Sequence, residues 1–328
     1  MKNLYILLGG DGYFGRNFTA YLCDNLECPF NQNIITIDKH SKNEGMNQKD
    51  YIEYDLRNEI NINLKNRNDF NEIIIINFAA ISFVDDSISN PDETIDNNLK
   101  CCINGYKLYK SMNASKYIYI STDEVRVNKN YDELSPYVVS KMLCEEYLIE
   151  KSKGNKNIKI IRPVNLMDVV NDKMPELQQQ NRCLLNIIAN ASENDIIHIH
   201  GTGEQKRMFM RMDAACKTLY DICISKVNRM FNPDRLLLFD IVDYPSLRTK
   251  NLKIKDIVIY LSEKLNLKYN YIEDPRGKYQ DMTYSKHYIY PGNLNGLDLI
   301  YKSVLRMKYL NNIENEKNIE TETYNKSQ

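Results

Sequence analysis

The sequence predicts an α/β protein, a doubly wound parallel sheet with a smaller C-terminal domain, on three observations. Short β-rich apolar runs alternate with helical stretches through the first half of the chain. Those runs are almost continuously apolar, as strands buried on both faces are. A glycine-rich turn joins the first run to the first helix.

Taken in order, strands are expected at Leu4–Leu8, Ile34–Ile37, Ile73–Phe78, Tyr117–Ser121 and Ile158–Ile161. Helices are expected between them at Phe14–Asn25, Ile95–Met112 and Pro136–Lys151. The second half is less regular. Pro163–Gln180 reads as irregular, Arg182–Ser192 as a helix, His200–Arg207 as a loop, and Asp213–Val227 and Leu252–Leu265 as helices. Leu236–Val242 reads as a buried strand that returns to the first sheet. This places a dinucleotide-type domain at 1–163 with 211–243 returning to it, and a substrate domain at 164–210 and 244–310. From Asn311 the chain is polar, and residues 311–328 are expected to be a disordered tail.

With 328 residues and 43% hydrophobic content, the chain has enough material for a substantial core. A formal net charge of -1 argues against a surface that attracts nucleic acid or an anionic membrane as a whole. No apolar run approaches the roughly 20 residues of a membrane helix. The opening MKNLYILLGGDGYFG runs into the glycine turn rather than into a signal-peptide cleavage site. The 8 cysteines are scattered, without a Cys-x-x-Cys pair or a His cluster, so no metal site and no disulfide framework are expected. A reducing cytoplasm suits that pattern.

The turn reads Gly9-Gly10-Asp11-Gly12-Tyr13-Phe14-Gly15. Glycines spaced three apart allow a tight turn, a close approach of backbone to pyrophosphate, and close helix–strand packing. The helix that follows offers unpaired N–H groups to the phosphates. Asp38 ends the second strand, at the distance where a carboxylate binds the adenosine ribose. A 2′-phosphate would be repelled there, which favours NAD over NADP. Asp55 could reach the adenine or could simply shape a turn.

Tyr137 and Lys141 form a Tyr-x-x-x-Lys pair on one helix face. An adjacent ammonium lowers a tyrosine pKa towards the neutral range and makes it a base. Three further pairs share the spacing: Tyr106/Lys110, Tyr147/Lys151 and Tyr260/Lys264. Only Tyr137 opens a helix, marked by Ser135 and Pro136, and only it closely follows a strand that ends in Ser121-Thr122-Asp123-Glu124. Thr122, Asp123 and Glu124 supply a hydroxyl, an acid and a base. They could equally cap a turn.

With these residues in view, the chain resembles the extended short-chain dehydrogenase/reductases, and among them the nucleoside-diphosphate-glucose 4,6-dehydratases, over about residues 3 to 290. GGDGYFG resembles the family's glycine turn, and Asp38-Lys39 its strand-two pair. NFAAISFVDDSISNP from Asn77, Asn98, STDEV at Ser121–Val125, SPYVVSK at Ser135–Lys141 and HGTGEQKRMF at His200–Phe209 resemble further family segments. The Thr-Asp-Glu triplet is similar to that of the dTDP- or UDP-glucose dehydratases in particular.

The resemblance implies a Rossmann-type domain that holds NAD through Gly9, Gly12, Tyr13, Phe14, Gly15, Asp38, Lys39, Asp55, Leu56, Phe78, Ala79, Ala80, Asn98, Ser121, Tyr137 and Lys141. It implies catalysis by Thr122, Asp123, Glu124, Tyr137 and Lys141, and sugar-nucleotide contacts from Ser82, Thr122, Asp123, Glu124, Asn165 and Arg207. The expected activity is the conversion of UDP-glucose or dTDP-glucose to its 4-keto-6-deoxy form, for rhamnose or amino-deoxysugar biosynthesis. A homodimer packed through Ile95–Met112 and Pro136–Lys151 is expected by the same analogy. The sequence departs from the family at Leu8, Ile81, Phe83, Asp86, Arg126, Asp168 and Asp281. These departures touch the sugar and nucleotide pockets rather than the catalytic set. A 4-epimerase or decarboxylase on the same scaffold, and a non-catalytic NAD-binding protein, are the alternatives.

Overall fold

The structure, a computed structural model, describes residues 2–25, 33–39, 51–62, 69–126, 134–153, 155–170, 184–192, 194–224, 238–239, 252–274, 296–309 and 312. It divides into two compact units, residues 1–163 with 217–241, and residues 164–216 with 242–328.

The first unit is built on a seven-stranded sheet of β1 (Lys2–Leu8), β2 (Ile34–Asp38), β3 (Tyr51–Glu53), β4 (Phe70–Asn77), β5 (Lys116–Ile120), β6 (Ile158–Ile161) and β11 (Leu238–Phe239). Its order is β11-β6-β5-β4-β1-β2-β3, and every neighbouring pair is parallel. Chain order therefore reverses between β1 and β4, the switch point where ligands bind in open α/β sheets. Ile73–Ile76 and Tyr117–Tyr119 are fully buried, which is why these runs carry no polar alternation.

Helices α1 (Tyr13–Asn25), α2 (Val84–Ser89), α3 (Pro91–Ser111) and α4 (Pro136–Ser152) connect the strands. α3 begins four residues before its expected start. Pro91 occupies the first turn, where a missing N–H costs nothing, and Asp92 and Glu93 favour the positive end of the helix dipole.

The second unit holds β7 (Asn165–Met167), α5 (Leu184–Asn190), β8 (Ile196–His200), β9 (Lys206–Arg207), β10 (Phe209–Arg211), β12 (Leu252–Lys253), α7 (Ile254–Leu265), β13 (Lys268–Ile272) and α8, a helix over 296–309. A further helix, α6, spans Met212–Cys223. The strands form three two-stranded pairs, β7 with β10, β9 with β12 and β8 with β13. Met167, Leu185, Ile188, Ile199, Phe209, Ile257, Leu261, Ile300 and Val304 belong to its core.

Several expectations need correction here. Asn165–Met167 is a strand rather than irregular chain, because Phe209–Arg211 pairs with it. Leu252–Lys253 is a strand against Lys206–Arg207 rather than the start of a helix. β3, β8, β13 and α2 were not expected; strands of three to five residues and a six-residue helix leave too short a periodic signal. Residues 171–183 and 225–237, and all but residue 312 of the expected tail, lie outside the described residues.

Candidate active site

The glycine turn sits at the end of β1. Gly9 has φ of +67°, and a Cβ there would meet Ala79 Cα at 2.5 Å. The turn is thus pressed against the exit of β4, across the switch point. A Cβ on Gly15 would meet Gly10 Cα at 2.6 Å, so α1 packs directly on the turn. Gly12 differs: only Gly9 O, at 3.5 Å, stands near its Cβ position. Packing does not demand glycine at residue 12; an approaching ligand would. The first turn of α1 carries no acidic residue of its own. Phe14 meets Phe78 edge-on at 5.2 Å, and the main chain of Tyr13 accepts from Asn17.

Asp38 is buried at the end of β2. Its Oδ2 accepts the N–H of Asp11 at 3.1 Å and its Oδ1 that of Lys39 at 2.8 Å. The carboxylate is therefore held rigidly against the glycine turn, while Lys39 is exposed. Asp55 is gripped by Arg57, with Nε and Nη2 at 2.8 and 2.6 Å from Oδ2. That guanidinium holds the Asp55 carboxyl below the usual carboxylate range. Leu56 is buried and its carbonyl accepts from Asn104.

Asn77, at the end of β4, accepts the N–H of Ala79 and donates to Tyr117 Oη at 2.9 Å. Ala80 is partly buried and Ser82 exposed on the loop that follows. Asn98 of α3 fixes that loop through both Ile81 N and Ile81 O, and donates to Ser140 Oγ of α4 at 2.8 Å.

The reacting cluster lies at the end of β5. Ser121, Thr122 and Asp123 are buried and Glu124 is half-buried. Asp123 opens a 3₁₀ turn over Asp123–Arg126, and Thr122 Oγ1 accepts the N–H of Glu124 at 3.3 Å. Ser135 caps α4 by accepting from Val138 N, with Pro136 in the first turn, and so aims Tyr137 from the helix start. Burial pushes the Tyr137 phenol up, and the charge of Glu124 pushes it the same way, while the neighbouring Thr122 side chain opposes both.

Lys141 lies one turn on, buried, with Nζ donating to Ile120 O at 2.7 Å and standing 5.9 Å from the Tyr137 ring centre. Burial pushes its ammonium down, partly offset by the Cys144 and Cys102 thiols and Glu145. The expected lowering of Tyr137 by Lys141 is not seen: burial raises the phenol.

Asn165 and Arg207 belong to the second unit. Asn165 donates from both its main chain and its Nδ2 to Met208 O, at 3.2 and 3.1 Å. Arg207 on β9 is partly exposed and donates to Lys206 O. Among the described residues no group of three or more His, Cys, Asp or Glu could hold a metal ion, and no helix is long and apolar enough to cross a membrane.

One buried carboxylate of this neighbourhood escaped the sequence reading. Glu145 accepts from Ser121 Oγ and pairs with Arg162. Its one signal is a third step along the spacing of Tyr137 and Lys141.

A seven-stranded parallel sheet, a glycine turn at its switch point and a Tyr-x-x-x-Lys pair beside the next strand end define a Rossmann-type dinucleotide-dependent protein of the short-chain dehydrogenase/reductase kind. The chain belongs to the NAD dependent epimerase/dehydratase family, which matches residues 5–229. A dTDP-D-glucose 4,6-dehydratase of Dictyostelium discoideum is 26% identical over 251 residues, 67% of this chain but 55% of that protein. The chain thus spans about half the length of that relative. Among solved structures, UDP-N-acetylglucosamine 4-epimerase from Methanobrevibacter ruminantium M1 is 18% identical with a TM-score of 0.64, over 93% of this chain and 98% of that one. DesIV, a dTDP-glucose 4,6-dehydratase from Streptomyces venezuelae solved with NAD and TYD bound, is 17% identical with a TM-score of 0.66, over 92% and 96%.

NAD is the cofactor of this family. The residues fit it: the open side of Gly12, the start of α1 directly after the turn and the clamped Asp38 lie where a dinucleotide needs a bare turn, a phosphate-facing helix end and a ribose acceptor.

Proposed function

We propose that the chain is a sugar nucleotide 4,6-dehydratase that converts UDP-glucose or dTDP-glucose to the 4-keto-6-deoxyglucose nucleotide, for deoxysugar biosynthesis. The observation that carries this reading is the arrangement at the end of β5. A hydroxyl and two carboxylates, Thr122, Asp123 and Glu124, follow the strand directly, and Thr122 and Glu124 both act on the Tyr137 phenol. The two neighbouring carboxylates have unequal environments, Asp123 at 1% exposure and Glu124 half-buried, as an acid and a base require.

Gly9, Gly12, Gly15 and Asp38 would hold NAD, which would supply reversible hydride acceptance between C4 and C6 of the sugar. Tyr137 takes the proton of the O4 hydroxyl, and Thr122 hydrogen-bonds that oxygen. The resulting ketone acidifies C5, and Glu124 removes the C5 proton and returns it to C5 once water has left and C6 has been reduced. Asp123 protonates the C6 hydroxyl, which leaves as water. One water is lost and no net oxidation occurs. Asn165 and Arg207 would meet the diphosphate, where a guanidinium suits bidentate contact, and Ser82 would stand near the sugar. The family membership supports the redox core, and the Thr-Asp-Glu triplet supports dehydration over epimerisation. Dimerisation through α3 and α4 is part of the same proposal.

The test is to incubate the purified protein separately with UDP-glucose and dTDP-glucose and weigh the products. A nucleotide sugar lighter by one water is expected, and the faster substrate identifies the base. Unchanged mass with an inverted C4 would replace this reading with an epimerase.

A further inference from the structure

Glu145 takes no part in the scheme above, yet its side chain is 5% exposed directly beneath the reacting cluster. It follows Tyr137 and Lys141 at the same four-residue step, so all three share one stripe of α4. Its Oε1 accepts the Ser121 hydroxyl at 2.5 Å and Arg162 Nε at 2.9 Å, and its Oε2 pairs with Arg162 Nη2. One helical turn earlier, Lys141 Nζ holds Ile120 O at 2.7 Å. Next to Arg162, the carbonyl of Pro163 accepts the N–H of Asp123 at 3.0 Å. Ile120, Ser121 and Asp123 are therefore each tied down, from α4 twice and from the end of β6 once. Thr122, whose side chain acts on the Tyr137 phenol, is the link between these anchors.

Apolar side chains would fill this site without the cost of desolvating a charge. What an apolar side chain cannot do is bond a strand end and a guanidinium at once. We propose that Glu145 is a positioning residue: it locks Ser121 to α4 and to Arg162, and so sets the place of the Thr122 hydroxyl and the Asp123–Glu124 turn against Tyr137. The chemical consequence rests on the dehydratase reading. The geometric consequence holds for any reaction that uses Tyr137 with Thr122.

The test uses the NAD-loaded enzyme and two variants, Glu145→Gln and the double replacement Glu145→Met with Arg162→Met. The double variant removes the ion pair as a unit and leaves no buried charge alone, so it keeps the fold where the single one fails. Expected is a loss of about 10- to 100-fold in kcat, since small misplacements of reacting groups cost that much. KM for the nucleotide sugar and the NAD content stay at wild-type levels. Amide hydrogen exchange quickens in the peptide spanning residues 119–124 and nowhere else in the sheet. A folded double variant with unchanged kcat and unchanged exchange overturns the proposal. Exchange that quickens throughout β1 to β6, with KM and NAD content moving alongside kcat, also overturns it, because a mere structural prop behaves that way. A wild-type protein that dehydrates no nucleotide sugar sinks the dehydratase reading alone, and the localised exchange change then still decides the role of Glu145.

Discussion

Tyr137 and Glu124 oppose one another. Burial and the Glu124 charge both push the Tyr137 phenol up, so a phenolate forms more readily once that charge is gone. In the proposed reaction oxidation at C4 needs the phenolate, so its rate is expected to rise with pH. In Glu124→Gln that rise moves to lower pH, because removing the negative charge lowers the phenol. Single-turnover formation of the 4-keto sugar across a pH series reads this directly; a limb that stays in place would separate the two residues. Water loss in the same variant falls by about 10²–10⁴-fold, the usual weight of a positioned base. Tyr137→Phe is expected to lose product formation by a similar factor while its melting temperature holds. Tyr137 and Lys141 were legible in the sequence because four-residue spacing on a helix is a local rule. Glu145 was not, because a carboxylate on a helix reads as solvated until the ends of β5 and β6 bring Ser121 and Arg162 to it.

At the level of elements, Gly12 and Gly15 of the turn do different work. Gly15→Ala drives a Cβ to 2.6 Å from Gly10 backbone and is expected to cost about 1–3 kcal/mol, the range for overpacking, visible as a lower melting temperature. Gly12→Ala meets only Gly9 O at 3.5 Å, so the melting temperature holds while NAD affinity falls. An alanine variant at residue 12 that binds NAD normally would remove that position from the cofactor site. Ser135→Ala strips the cap of α4 and costs about 1 kcal/mol in chemical denaturation. The long buried strands β1, β4 and β5 were readable because uninterrupted apolar runs are a strong signal. β7, β9, β10 and β12 were not, since strands of two or three residues owe their existence to a partner elsewhere in the chain.

On the scale of the molecule, the second unit shows how a sequence departure is accommodated. Asp168 takes a φ of +70°, and its buried carboxylate meets Arg306 Nη1 at 2.7 Å. Arg306 also donates to Val169 O, which fastens the end of β7 to α8. Losing a charged hydrogen bond of this kind costs about 2 kcal/mol. Asp168→Ala should lose more than Asp168→Asn, since asparagine tolerates the left-handed backbone better; equal urea midpoints for wild type and both variants would show that the pair stabilises nothing. The sequence by itself determined a parallel α/β sheet, a nucleotide-binding turn after its first strand and a cluster of reactive side chains, because each is written in local periodicity or spacing. It did not separate the four Tyr-x-x-x-Lys pairs by geometry. Lys151 and Lys264 stand 5.6 and 5.7 Å over their tyrosine rings, much as Lys141 stands 5.9 Å over Tyr137. Sequence context singled out Tyr137 and Lys141, and the tertiary structure adds a difference in burial: Lys141 is buried against β5, while Lys110, Lys151 and Lys264 are exposed. The physical reason is that spacing sets what a helix presents, whereas the crossover from β5 to α4 sets what it is presented to.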